Sequence, residues 1–157
     1  MKIIILLISL ITFSFAEQYT FLVDKYDKDI ELEAKIVLNI AKASILNDIK
    51  LHIPKITSTE KEIYSKFFTL VNTCDEANFI FVKTKFEIDK LCENKAHGKL
   101  LFTNNYEKLI KNDNYLGAFF WNKSRPNITF IKERLQEKNI NLPAEYSKFI
   151  EEIENIK

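Results

Sequence analysis

The run Tyr115 to Phe130, YLGAFFWNKSRPNITF, constrains the fold of this chain more than any other stretch. It gathers five aromatics, one of only two glycines and the only arginine-proline pair. Alternation puts Tyr115, Gly117, Phe119 and Trp121 on one face of a strand and Leu116, Ala118 and Phe120 on the other. The polar stretch Asn122 to Arg125 breaks the pattern before a second strand, Asn127 to Ile131, so the run predicts a hairpin. Both faces of its first strand are apolar, which predicts cover on two sides.

The chain opens MKIIILLISLITFSFA: one basic residue, Lys2, an uncharged apolar run from Ile3 to Phe15, and Ser14 and Ala16 in a small-x-small arrangement. That order predicts a secretory signal peptide cleaved after Ala16. The apolar run falls short of the roughly 18 to 20 residues that a spanning helix needs. No cysteine follows Ala16, so a lipid anchor is not expected there. Residues 17–157 are then one α/β domain, long enough for a sizeable core. Losing Lys2 with the leader leaves acidic and basic residues balanced. No basic block is present, and Lys and Glu are interspersed, which argues against nucleic acid as a partner. A lysine-rich, glycine-poor chain behind such a leader points to the periplasm.

Cys74 and Cys92 are the only cysteines. An oxidising compartment would let them pair, since a strand followed by a returning helix brings their neighbourhoods together. Two buried thiols are the other reading. The spacing is not C-x-x-C, so a redox-active pair is not expected.

The remaining elements follow from periodicity. After an apolar patch at Tyr19 to Val23, the segment Asp29 to Leu46 is helical, with Ile30, Ala34, Val37, Leu38, Ala41 and Ile45 on one face and a mixed-charge stripe opposite. Ile49 to Ile53 alternates as a strand ended by Pro54. Thr57-Ser-Thr-Glu60 fits a capping box, opening a helix with Ile63, Phe67, Phe68 and Val71 as its buried stripe. Asn78 to Lys83 reads as a strand, Phe86 to Cys92 as a short helix, and Lys99 to Thr103 as a strand. Asn104 or Asn105 caps a helix through Ile110. Beyond the hairpin, a helix is predicted from Ile131 to Lys138, and Pro143 opens a last amphipathic helix with Tyr146, Phe149, Ile150 and Ile153. Alternating strands and helices predict a three-layer α/β domain: a mostly parallel sheet of about three strands, an antiparallel C-terminal hairpin, and helices on both faces.

Catalysis is tested by elimination. His52 and His97 lie on different elements and in no metal-binding motif, so no zinc site is expected. Two glycines, Gly98 and Gly117, are too few for a phosphate-binding loop or a dinucleotide turn, so no cofactor is expected. A G-x-S-x-G nucleophile elbow is absent. The carboxylate pairs Glu31 with Glu33 and Glu151 with Glu152 read as solvated helix faces. A non-enzymatic protein is the expectation.

Several segments together resemble the YfiR-like family of periplasmic proteins: CDEANFIFV from Cys74, LLFTNNYEKL, YLGAFFW, RPNITF, a closing helix, and KIVLNIAKASI in the first helix. The chain has the single Gly117 where the family carries paired glycines, and Ile131, Lys132 and Glu133 where it carries Phe-x-x-Asn. The resemblance implies a repressor that binds the periplasmic sensor domain of a membrane diguanylate cyclase and so couples envelope or redox state to cyclic-di-GMP signalling. Within the hairpin, Trp121, Arg125 and Pro126 are the candidate partner-binding residues, because Trp and Arg are enriched at interface hot spots and a hairpin turn is accessible. A small periplasmic solute-binding protein is the alternative, with Arg125 a candidate clamp for an anion.

Overall fold

The first helix, α1, spans residues 26–44 in the computed structural model, which describes residues 26–86, 92, 98–123 and 125–155. The expected leader, the patch at Tyr19 to Val23 and the interior of the helix expected from Phe86 to Cys92 lie outside those residues. Ile30, Ala34, Val37 and Ala41 are buried as the helical period predicts, and Ile40 joins them. Small residues at 34 and 41 let the helix approach the sheet closely.

Seven strands follow: β1 (Lys50–His52), β2 (Thr69–Leu70), β3 (Phe79–Val82), β4 (Leu100–Thr103), β5 (Tyr115–Asn122), β6 (Arg125–Ile131) and β7 (Ile150–Glu151). They form one sheet in the order β2-β1-β3-β4-β5-β6-β7. The first five are parallel to their neighbours, β6 is antiparallel to β5, and β7 runs parallel to β6. The fold class is therefore α/β with a mostly parallel mixed sheet, and the expected count of about three strands plus the two of the hairpin is corrected to seven in all. The two strands at the sheet edges have two residues each, too short for any alternation to register in the sequence.

Three further described helices connect them: α2 (Ser58–Tyr64), α3 (Tyr106–Lys111) and α4 (Lys132–Glu137). Thr57 caps α2 with the reciprocal bonds expected of a capping box, and Asn105 caps α3. The stripe expected to run on to Val71 is cut short. The chain leaves α2 after Tyr64, turns at Phe67 and Phe68, and commits Thr69 and Leu70 to pair with Lys50 and Leu51. The closing segment is also corrected. Pro143 precedes a 3-10 helix, Ala144–Phe149, and Ile150 then pairs with Phe130, because a strand partner is open there.

The hairpin forms with a tighter turn than Asn122 to Arg125. Asn122 and Arg125 are paired, and Lys123 takes a left-handed φ of 48° in the turn. Pro126 sits opposite Trp121 inside β6, on a part of the strand that β7 does not reach, so its missing N–H breaks no ladder bond on that side. A bulge where β5 meets β4 changes the facing of its first residues. Leu116 joins Phe119 in the larger core cluster, while Tyr115 joins Ala118 and Phe120 in the smaller one. The expected faces hold from Gly117 onward and are exchanged at Tyr115 and Leu116, as one extra residue demands.

Alternation along β3 separates the two clusters. Phe79 and Phe81 belong to the larger, with α1, α2 and Leu135; Ile80 and Val82 belong to the smaller, with Leu109 of α3. Among the described residues no helix is long and apolar enough to cross a membrane.

Candidate functional site

The connections leaving the carboxyl ends of β1, β3 and β4 meet the beginnings of α1 and α2. Strand order reverses between β1 and β3, and such a reversal leaves a crevice outside the carboxyl ends of the strands. A cleft of about 490 Å³ lies there, lined by Tyr26, Asp29 and Glu33 of α1, Thr57 and Glu60 at the start of α2, Lys83 to Phe86 after β3, Asn104 after β4, and Trp121.

An ion network forms its floor. Lys83 places its Nζ 2.6 Å from Glu33 Oε1 and 2.8 Å from Glu60 Oε1. The lysine and the two carboxylates keep only 12, 14 and 10 % of their side-chain surface. Glu33 Oε1 also accepts from the Tyr64 hydroxyl at 2.8 Å, and Oε2 from Asn104 Nδ2 at 3.3 Å. Glu60 Oε2 accepts from the backbone N–H and the hydroxyl of Thr57, both at 2.9 Å, so the capping box and the ion network share one side chain. Asn104 in turn receives the N–H and the hydroxyl of Thr84 at 2.5 and 2.8 Å, which fixes the segment after β3.

The network locks its own protons. Burial pushes the Lys83 ammonium down, but Glu33 and then Glu60 outweigh it and hold its pKa above the ordinary 10.5. Burial pushes Glu60 up, yet Lys83 and Thr57 together hold it below the ordinary 4.5. Burial and the neighbouring Glu33 raise the Tyr64 hydroxyl far above its usual range, so it stays protonated and keeps its hydrogen on Glu33. Lys83 is thus charged at neutral pH, and a charged ammonium is neither nucleophile nor base.

The sign of the pH dependence follows. Glu60 has a lowered folded pKa, so its stabilisation is present above about 4.5 and is lost as pH falls through the folded value. Lys83 has a raised one, so its share is intact below 10.5 and fades only as pH rises through a still higher value. Urea unfolding measured down the acid limb should lose stability below about pH 4.5, and Glu60→Gln should flatten that slope. An unchanged slope in the variant would remove Glu60 from the acid response.

The residues singled out in the sequence lie at the neighbouring hairpin tip. Trp121 is 50 % exposed and packs edge-on against Phe119 at 5.7 Å between centroids. Arg125 and Pro126 are exposed beside it on β6. Trp121 also lines the cleft, so tip and cleft share one side chain. No disulfide joins Cys74 and Cys92, and both belong to the smaller core cluster. Cys92 is buried and Cys74 half-buried.

Glu31 is solvated and pairs with Lys35, as expected of a helix face. Glu33 corrects that expectation: two positions further on, it turns inward to Lys83. The sequence does not single out Glu33, Glu60 and Lys83 as a group. The one available signal was Lys83 at the end of an apolar strand, where a buried cation needs partners. Arg134 was missed as well. It is buried, donates to the carbonyls of Leu109 and Tyr115 at 2.9 and 2.6 Å, and so ties α4 to the start of β5. No family model, curated protein or solved structure matches the chain.

Proposed function

We propose that the chain is a non-enzymatic regulatory module of the periplasm, residues 17–157 forming a three-layer domain that docks through its hairpin tip on the sensor part of a membrane protein. The resemblance described above makes a diguanylate cyclase the partner class, and repression its effect. The observation that carries this reading is the exposed group at the tip: Trp121 paired with Pro126 and Asn122 with Arg125, all near the free end of the hairpin. A half-exposed tryptophan held against Phe119 is a rigid anchor that loses little conformational entropy on docking. The locked Lys83 supports the non-enzymatic side of the reading.

A photo-crosslinking residue at Asn122, irradiated in whole cells, tests it. An adduct with an inner-membrane protein carrying a cyclase domain supports the proposal, and none from folded protein overturns it. Trp121→Ala should leave the fold intact and weaken partner binding by about 2 kcal/mol, roughly thirtyfold. Unchanged adduct yield would remove Trp121 from the interface. Solute binding is the second reading, favoured by the cleft. Adducts with transporter subunits would select it.

A further inference from the structure

The cleft floor is short of positive charge. Two carboxylates share one ammonium, and among the described residues no other cation pairs with Glu33 or Glu60. Thr57, Tyr64 and Asn104 supply hydrogen bonds that spread the excess negative charge without neutralising it. Removed from bulk water, that charge is stabilised by any cation that reaches it.

The oxygens are not equally occupied. Glu33 Oε1 and Glu60 Oε2 each take two close partners, and Glu60 Oε1 takes Lys83. Among the described residues Glu33 Oε2 has only the 3.3 Å contact from Asn104, which leaves it the emptiest acceptor of the floor. Asp29 stands one helical turn before Glu33, on the same cleft wall, with no ion-pair partner among the described residues. Lys85 also lines the cleft, but it is exposed, so water and salt screen it more than the floor.

The walls are aromatic. Phe86 already has the Lys55 ammonium 5.6 Å from its ring centroid. Tyr26 and Trp121, 52 and 50 % exposed, leave ring surface open to a ligand. Aromatic faces beside unneutralised carboxylates attract organic cations, and the volume suits a small molecule.

We infer that this cleft binds an organic ammonium with an apolar body, the nitrogen seated between Asp29 and Oε2 of Glu33 and the body over Tyr26 and Trp121. The site does not depend on partner docking at the hairpin tip. Ligand binding is read on purified protein and docking by crosslinking in cells, so the two proposals fail separately.

Trp121 is the only tryptophan, so its fluorescence reports the cleft directly. Benzylammonium and choline are titrated in parallel with benzoate and benzyl alcohol. Saturable change with either cation, and none with benzoate or benzyl alcohol over the same range, is the expected result. Asp29→Asn, an exposed change that leaves the core untouched, should weaken binding about three- to tenfold, and Glu33→Gln by about tenfold or more. Benzoate binding as well as benzylammonium overturns the inference. So does an absence of saturation with both cations at millimolar concentration, or equal affinity in wild type and both variants.

Discussion

Lys83→Met is expected to destabilise the protein by about 3 kcal/mol, because it leaves Glu33 and Glu60 facing each other in a largely buried site with their shared cation gone. Removing one partner of a buried ion network costs more than removing the network. The triple variant Lys83→Met, Glu33→Gln, Glu60→Gln should therefore recover much of the loss, since neutral amides can still meet Tyr64, Asn104 and Thr57. Urea midpoints measured for wild type, single and triple variants at neutral pH check this directly. A loss below about 0.5 kcal/mol in the single variant would show that water, rather than Lys83, satisfies the carboxylates.

Gly117→Ala should cost about 2–3 kcal/mol for a reason of space rather than of backbone freedom. A Cβ built there would lie 2.5 Å from Cε2 of Phe102 and 2.6 Å from the Thr129 carbonyl oxygen. The ring can turn, but the carbonyl belongs to β6 and is fixed by the hairpin ladder. Phe102→Leu should accordingly rescue only part of the loss, leaving the clash with Thr129 in place. Thermal melting of the two single variants and the double variant measures that coupling. Full additivity would mean that Phe102 does not crowd the glycine.

The contrast between these two sites explains what could be read ahead of the structure. Gly117 lies in the hairpin, where strand alternation, a polar break and a second strand are all local signals and the hairpin follows from them, although its turn is tighter and its second strand starts at Arg125 rather than Asn127. The capping box at Thr57 and Glu60 is equally local and forms as its spacing predicts. The ion network is not local. Glu33, Glu60 and Lys83 come from two helices and the end of a strand, and only the parallel crossovers bring them to one edge. Glu33 looks like Glu31 to any pattern, yet the helical period points one to solvent and the other to the cleft. The bulge at Leu116 exchanges two residues between faces through one extra position, which no alternation count reveals. The edge strands β2 and β7 escape for a simpler reason: two residues carry no period. Both fall where helices were expected to continue, and tertiary pairing overrides the helical preference there.

Those short edges also bear on how the molecule avoids itself. A sheet usually offers open backbone along its outer strands, a template on which another chain can grow. Here each outermost strand is two residues long. Beyond the reach of β7, the outer side of β6 has Pro126, which has no N–H to give. Strand addition therefore has little open backbone to use at either margin and one donor fewer at Pro126. A partner docking as proposed at the hairpin tip would therefore read side chains more than backbone, and its selectivity would change by point substitution at exposed residues such as Trp121 and Arg125 without disturbing the sheet.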